Sequence, residues 1–435
     1  MPCLAVILGT VAFMTARPSR YAQAQWNMTI TPTWPLLRVL LPAATLAFAT
    51  ACDRSSSPAS DWTITVDSTA GGITRVVNEP PSSGIEPRWI IEPDLTIGSV
   101  EGDPAEIFGT VKGVAPLHDG RIAVLDGQAQ EIRVFSPDGQ YLRTIARRGS
   151  GPGELQDANG MLVGPDGLLR VNDPRNSRLS LFDADSGYVG SERLQVSSWG
   201  FIWNASIGRD GRIFETTTTQ LDSESWVVIK VYDSAGSWVD TVRLNRFEPS
   251  DGGTPAVFSF ETASTSGFMA VPYYPAGVQV LDPDGGFWRK GEGDNSYRFV
   301  RTTFNGDTLL VVENRRTPLP VSAAERDSTI GVISERVPGY RFDWSRIPDE
   351  KPVVQGMLLD DSGRLWVRVF ASDSAITYDV YDRTGRYEGT AVTSLRFTPY
   401  WRPLIVGDRF YTLHTDEMDV PYVVRARIRE VGGEG

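Results

Sequence analysis

Residues 114–139 read VAPLHDGRIAVLDGQAQEIRVFSPDG, and residues 161–187 read MLVGPDGLLRVNDPRNSRLSLFDADSG. The second stretch nearly repeats the first. Asp119-Gly120 returns as Asp166-Gly167, Asp126 as Asp173 and Phe135 as Phe182, each 47 residues further on. DG and PDG are turn signals, because glycine supplies a positive φ while proline and aspartate preset the bend. Between the turns lie short runs rich in Val, Ile, Leu and Phe. A fixed period of this size, filled with short strands, is the signature of a propeller or a solenoid.

Working outward, residues 97–107 read IGSVEGDPAEI and residues 145–155 read IARRGSGPGEL. Ile97 matches Ile145, Pro104 matches Pro152 and Glu106 matches Glu154, at an offset of 48. The array therefore begins with the last strand of a unit. Unit one has an inner strand at about Gly113–Pro116, then Arg121–Leu125, Glu131–Phe135 and an outer strand Tyr141–Ile145. Further units follow the turns at Asp210-Gly211, Asp284-Gly285, Ser362-Gly363 and Gly407-Asp408. The sixth unit ends near Ile428 without an outer strand of its own. We expect an all-β, six-bladed propeller with four antiparallel strands per blade. The strand at Ile97 should complete the last blade, which removes the exposed sheet edges of an open array. Trp62–Val66 and Gly72–Asn78 read as a peripheral hairpin. The propeller is expected over residues 62–430, with long connections at 245–277 and 313–352. In the second, Ser322 and Glu325 form a capping box ahead of Ile330, Ile333 and Val337, which predicts a helix at about Ala323–Glu335.

Composition excludes several functions. The 435-residue chain has a formal charge of −12 and only two histidines, His118 and His414. An acidic chain repels nucleic acid and anionic lipid, and two histidines rule out three-histidine metal sites. Both cysteines, Cys3 and Cys52, fall in the leader, so the body carries no disulfide. Leu36–Ala51 is apolar apart from Arg38 and is short for a membrane span. Its end, Phe48-Ala49-Thr50-Ala51-Cys52, resembles the lipobox of bacterial lipoproteins. That resemblance implies a signal peptide over 1–52, a lipid on Cys52 and a polar tether over 53–61, with Met28 as an alternative start. The expected location is the bacterial cell envelope, extracytoplasmic on the periplasmic face, with membrane contact through the lipid alone.

Residues 151–187 also resemble an NHL repeat: Gly151-Pro152-Gly153 as the lead, Asp166-Gly167, Val171 to Asp173, Asn176 with Arg178, and Leu181-Phe182. Leu155 stands where the family has Phe. The region from Trp89 to Ile428 is similar to bacterial six-bladed propellers of the NHL and YncE-like kinds. The resemblance implies a ring and not one activity, since such rings host lyases, lactonases, sensors and binding modules.

Strand order places the second-to-third-strand loops and the blade-to-blade crossings on one face. The candidate ligand-face residues collected there are Asp126, Arg147, Arg148, Glu154, Asp173, Arg175, Asn176, Glu292, Asp294 and His414, together with both long connections. Each also has a plainer reading. Asp126 and Asp173 can cap their own loops, Asn176 belongs to the repeat pattern, and Arg147 and Arg148 can be ion-paired. No catalytic set stands out, and no metal ligands are assigned. Asp282 and Asp284 resemble calcium ligands by type, yet DPDG is equally a turn and no six-ligand loop surrounds it. No cofactor is therefore expected, calcium being the one ion considered. The sequence reads as a tethered, monomeric propeller that binds a protein or small-molecule ligand on its loop face without catalysis. The alternative is a metal-dependent hydrolase of the gluconolactonase-like type, which would need Glu, Asn and Asp in the channel.

Overall fold

In the computed structural model, Gly120 and Gly167 close their turns at φ of +85° and +79°, a region in which a side chain would be strained. Each turn joins the inner strand of a blade to its neighbour. The structure describes residues 62–432 apart from 69–70, 194–201, 247–255, 263–265, 283–284, 372–374 and 399–400. The signal segment 1–52 with Cys52, the tether 53–61 and Asp284 lie outside the described residues.

Six four-stranded antiparallel blades follow. Blade one is Val111–Pro116, Ile122–Asp126, Glu131–Phe135 and Tyr141–Arg148. Blade two is Gly160–Val163, Leu169–Asp173, Arg178–Asp183 and Gly187–Arg193. Blade three is Ala205–Ile207, Ile213–Leu221, Glu224–Tyr232 and Trp238–Arg246. Blade four is Val278–Leu281, Phe287–Lys290, Arg298–Thr302 and Thr308–Asn314. Blade five is Val354–Leu359, Leu365–Val369, Ile376–Tyr381 and Tyr387–Thr393. Blade six has three late strands, Leu404–Val406, Arg409–Thr415 and Pro421–Glu430. Two early strands, β1 (Thr63–Ser68) and β2 (Thr74–Glu79), form the expected hairpin, and β2 adds in parallel to the outer strand of blade four.

The third early strand, β3 (Trp89–Ile97), closes the ring. It pairs antiparallel with Pro421–Glu430, in a register that sets Ile97 against Val423 and Thr96 against Val424. Its first residues also touch blade five, where Trp89 and Ile90 pair in parallel with Ala391 and Val392.

Packing follows the radial arrangement. The second strands of blades one and two are buried along their whole length, whereas the outer strand of blade one is exposed at Tyr141–Thr144. In blade one this strand, IAVLD, is apolar up to Asp126, whereas LRVND of blade two buries Arg170, paired with Asp166, along with Asn172 and Asp173. The cores lie in the seams between neighbouring blades. Leu125 and Ile132 of blade one meet Leu169 and Phe182 of blade two. Leu179 of blade two meets Trp203 and Ile213 at blade three. Phe214 and Ile229 of blade three meet Phe287 of blade four. Trp288 and Phe299 of blade four meet Leu365 and Tyr381 of blade five. Trp366 and Tyr378 of blade five meet Ile91, Phe410 and Ala426 of blade six. Leu413 and Val423 of blade six meet Val114 and Phe135 of blade one, and Ile97 belongs to the same cluster.

One further core lies outside the ring and belongs to the two long connections. The first carries a hairpin, Val257–Glu261 with Ser266–Ala270. The second carries α1 (Ala323–Arg336), one residue longer than expected and opened by the Ser322–Glu325 capping box. Phe258, Tyr273, Ile333, Val337 and Phe342 pack together, and the Arg346 guanidinium donates to the Val257 carbonyl at 2.8 Å. The two connections thus make one cap.

Ile91 is 2% exposed and sits in the seam between blades five and six. Ile91→Ala should destabilise the fold by about 2–5 kcal/mol, the usual cost of an aliphatic core truncation, read as a lower urea midpoint. An unchanged midpoint would mean that β3 is dispensable.

Candidate functional site

The loop face is built from repeated local chemistry. Asp126 ends the second strand of blade one and is 1% exposed. Its carboxylate accepts from the amides of Gly109 at 3.0 Å, Thr110 at 3.3 Å, Gln128 at 2.9 Å and Ala129 at 3.0 Å. Asp173 does the same in blade two, fully buried, accepting from the amides of Gln156 at 3.3 Å and Asp157 at 3.1 Å. Each aspartate pins the incoming crossing to its own blade. Their oxygens are occupied by the chain's own amides, in the manner of buried acceptors generally.

Asn176 donates to Asp173 at 2.6 Å and to the Gly149 carbonyl at 3.1 Å. Glu154 accepts from the Gly151 amide at 2.8 Å and from Arg147 at 3.0 Å, and these bonds hold its carboxyl below the usual range. The Arg147 side chain is 80% exposed, while Arg148 donates to the Gln128 carbonyl. Arg175 and Glu292 are exposed. Asp294 accepts from the Ser296 amide at 2.8 Å and hydroxyl at 2.7 Å. His414 is half-buried beside Tyr422, with ring centroids 6.3 Å apart. The structure therefore groups Arg147, Arg148, Glu154, Asp173 and Asn176 at the crossing from blade one to blade two. Glu292 and Asp294 lie apart, in the blade-four loop on which the cap stands. There Asn295 donates to the Lys351 carbonyl at 3.2 Å and accepts from the Val353 amide at 3.0 Å.

Among the described residues, no three Asp, Glu, His or Cys side chains come together as metal ligands. The six inner strands read VKGVAP, GMLV, ASI, VQVL, VQGMLL and LIV, with no acidic residue in any of them. A divalent cation needs carboxylate or carbonyl donors turned into one cavity, and these strands offer no carboxylate. Asp282 is engaged by Arg301, so a guanidinium stands where a cation was considered.

Two polar features escaped the sequence reading. The first is a buried ion pair between blades four and five. Asp379, fully buried, accepts from Arg316 at 2.6 Å, Tyr297 at 2.9 Å and Thr390 at 2.8 Å. Burial, together with the Asp379 charge, pushes the Tyr297 and Tyr381 phenols well above their ordinary value. The second is Arg402, just ahead of the inner strand of blade six. It lines a recess in the channel with Asn204, Ser206, Phe214, Gln279 and Leu281. Neither feature lies on a repeat position, so no local signal marks it.

Replacing Asp379 by Asn should cost about 3–5 kcal/mol, because the Arg316 charge is left buried without its partner; urea unfolding measures this. The raised phenols give a pH signature as well. Their contribution to stability is complete below the ordinary phenol value of about 10 and is lost as pH rises beyond it, because the unfolded chain then ionises first. Ultraviolet difference titration should show Tyr297→Phe and Tyr381→Phe removing only late-titrating phenols. Loss of an early-titrating phenol would contradict the geometry.

A family model described as a 6-bladed beta-propeller, DUF5128, matches residues 108–242, which span blades one to three. None of the curated proteins matches the chain. Among solved structures, a putative exported protein of Bacteroides fragilis NCTC 9343 is 12% identical with a TM-score of 0.43, over 82% of this chain and 100% of that one. A member of the duf4221 family from Bacteroides vulgatus is 10% identical with a TM-score of 0.44, over 79% of this chain and 99% of that one. A gluconolactonase of Xanthomonas campestris is 12% identical with a TM-score of 0.35, over 78% and 97%. The six-bladed β-propeller stands on the strand pairings and the family match.

Proposed function

We propose that this chain is an extracytoplasmic propeller, lipid-anchored at Cys52, that binds a protein or small-molecule ligand on its loop face without catalysing a reaction. The leader over 1–52 and the tether over 53–61 would set the ring of residues 62–430 off the membrane surface. The observation that carries this reading is the cap. Two connections far apart in sequence fold against each other on the loop face, around Phe258, Ile333 and Phe342. A packed cap on one face presents a shaped surface where several loops converge, which is where binding sites are favoured. The buried aspartates of that face are engaged by the chain's own backbone amides and, at Asp173, by the Asn176 side chain. Together with the lack of acidic residues on the inner strands, this weighs against a metal-dependent hydrolase.

Two measurements test the reading. Cys52→Ser should move the protein from the membrane fraction to the soluble fraction and abolish labelling by a radioactive fatty acid; a variant that stays membrane-bound would refute the anchor. A photo-crosslinking residue placed at Phe268 on the cap or at Glu292 beside it should yield specific adducts in intact cells. The same group at Asp119, on the opposite face, should not. Equal adducts from both faces, or turnover of lactones dependent on added metal, would sink the binding assignment.

A further inference from the structure

Arg402 sits two residues before the inner strand of blade six, Leu404–Val406. The recess it lines is otherwise walled by blades three and four, through Asn204 and Ser206 at one inner strand and Gln279 and Leu281 on the next. In a six-membered ring, blades three and six stand opposite each other, so the guanidinium reaches across the axis. The recess itself is small, about 30 Å³, and open on its channel side.

We propose that this recess is a carboxylate-binding site. Arg402 takes the carboxylate of a small organic anion, Asn204, Ser206 and Gln279 supply neutral hydrogen bonds, and the rest of the ligand extends into the open channel.

Several observations support this. Among the described residues, Arg402 has no hydrogen bond and no ion pair, in a protein whose arginines are widely paired, as Arg121, Arg133, Arg170 and Arg316 are. Its side chain is open to the channel yet enclosed by protein on most sides, and burial alone pushes its pKa down, with no carboxylate acting the other way. An exposed guanidinium without a partner leaves its N–H donors free to take an incoming anion. The inner strands carry no acidic residue to repel such an anion. The planar guanidinium matches a carboxylate through two parallel bonds. One cation with neutral donors suits a monoanion, whereas a phosphate dianion would call for a second positive charge.

Calorimetry on the purified protein, with benzoate, hexanoate, inorganic phosphate and the neutral isostere benzamide, tests the site. Benzoate or hexanoate should bind, with benzamide weaker by about tenfold or more, the size of effect expected for a charge-assisted pair. Arg402→Gln should lose the preference for carboxylate over amide while its ligand-free melting temperature holds. Arg402→Lys should restore it in part, because the charge returns without the fork. Gln279→Met, which keeps the cation, should weaken carboxylates less than Arg402→Gln and provides a readout if the latter fails to fold. Carboxylates binding no better than benzamide to the wild type would overturn the proposal, as would undiminished binding to Arg402→Gln. Tighter binding of phosphate than of either carboxylate would overturn the ligand class. These outcomes concern the channel alone and leave the loop-face reading to its own test.

Discussion

The pairing of β3 with Pro421–Glu430 is the constraint on which the rest of the molecule depends. A propeller blade buries apolar side chains on both of its faces, so every blade needs a neighbour on each side. In an open array the first and last blades would each leave one such face in water. Joining a strand from the beginning of the ring to the last blade covers both at once, and the cluster of Ile97, Leu413, Val423, Val114 and Phe135 is the resulting seam. The contact is formed by residues more than three hundred positions apart, so its loop-closure entropy is large, although that cost grows only slowly with length. The hairpin of β1 and β2 adds a second long-range tie, to the outer strand of blade four. There Trp62 stacks on Tyr387 with ring centroids 3.7 Å apart.

Once the ring is closed, strand order sorts the loops. Turns between first and second strands fall on one face, and the crossings fall on the other. Both long connections are crossings, and they leave the ring on either side of blade four. Their proximity makes a shared core available to them, and the aromatic cluster of Phe258, Phe260, Tyr340, Phe342 and Trp344 fills it. The cap is therefore a consequence of ring geometry acting on two insertions. The polar chemistry of the ring divides into two kinds. At Asp126, Asp173 and Glu154 the carboxylates hold backbone in place. At Arg402 a cation is left facing the channel.

How much of this was legible beforehand depends on the range of the interaction involved. The Asp-Gly turns, the 47-residue period and the capping box of α1 are local. A positive φ needs glycine, a strand needs its apolar run, and a helix start needs Ser322 and Glu325, wherever the chain goes next. The missing strand of the sixth unit was legible by counting, because the array opens on a strand without its unit. Strand order puts Asp126 and Asp173 among the second-to-third-strand loops, but it does not name their partners. That each reaches amides of the preceding crossing follows from how the crossing packs, which the repeat by itself does not describe.

The sequence alone thus determined the ring: repeat, strand count, closure and the face on which each loop emerges. All of these follow from backbone preferences and apolar periodicity that repeat along the chain. Only the tertiary structure decided which side chains meet once the ring has closed. Arg316 meets Asp379 across a seam, and Arg402 shares a recess with Asn204 and Gln279 across the axis. The physical reason is radial geometry. It brings side chains from different blades together, in a buried seam for Arg316 and Asp379 and along the channel for Arg402, and no local pattern records those meetings.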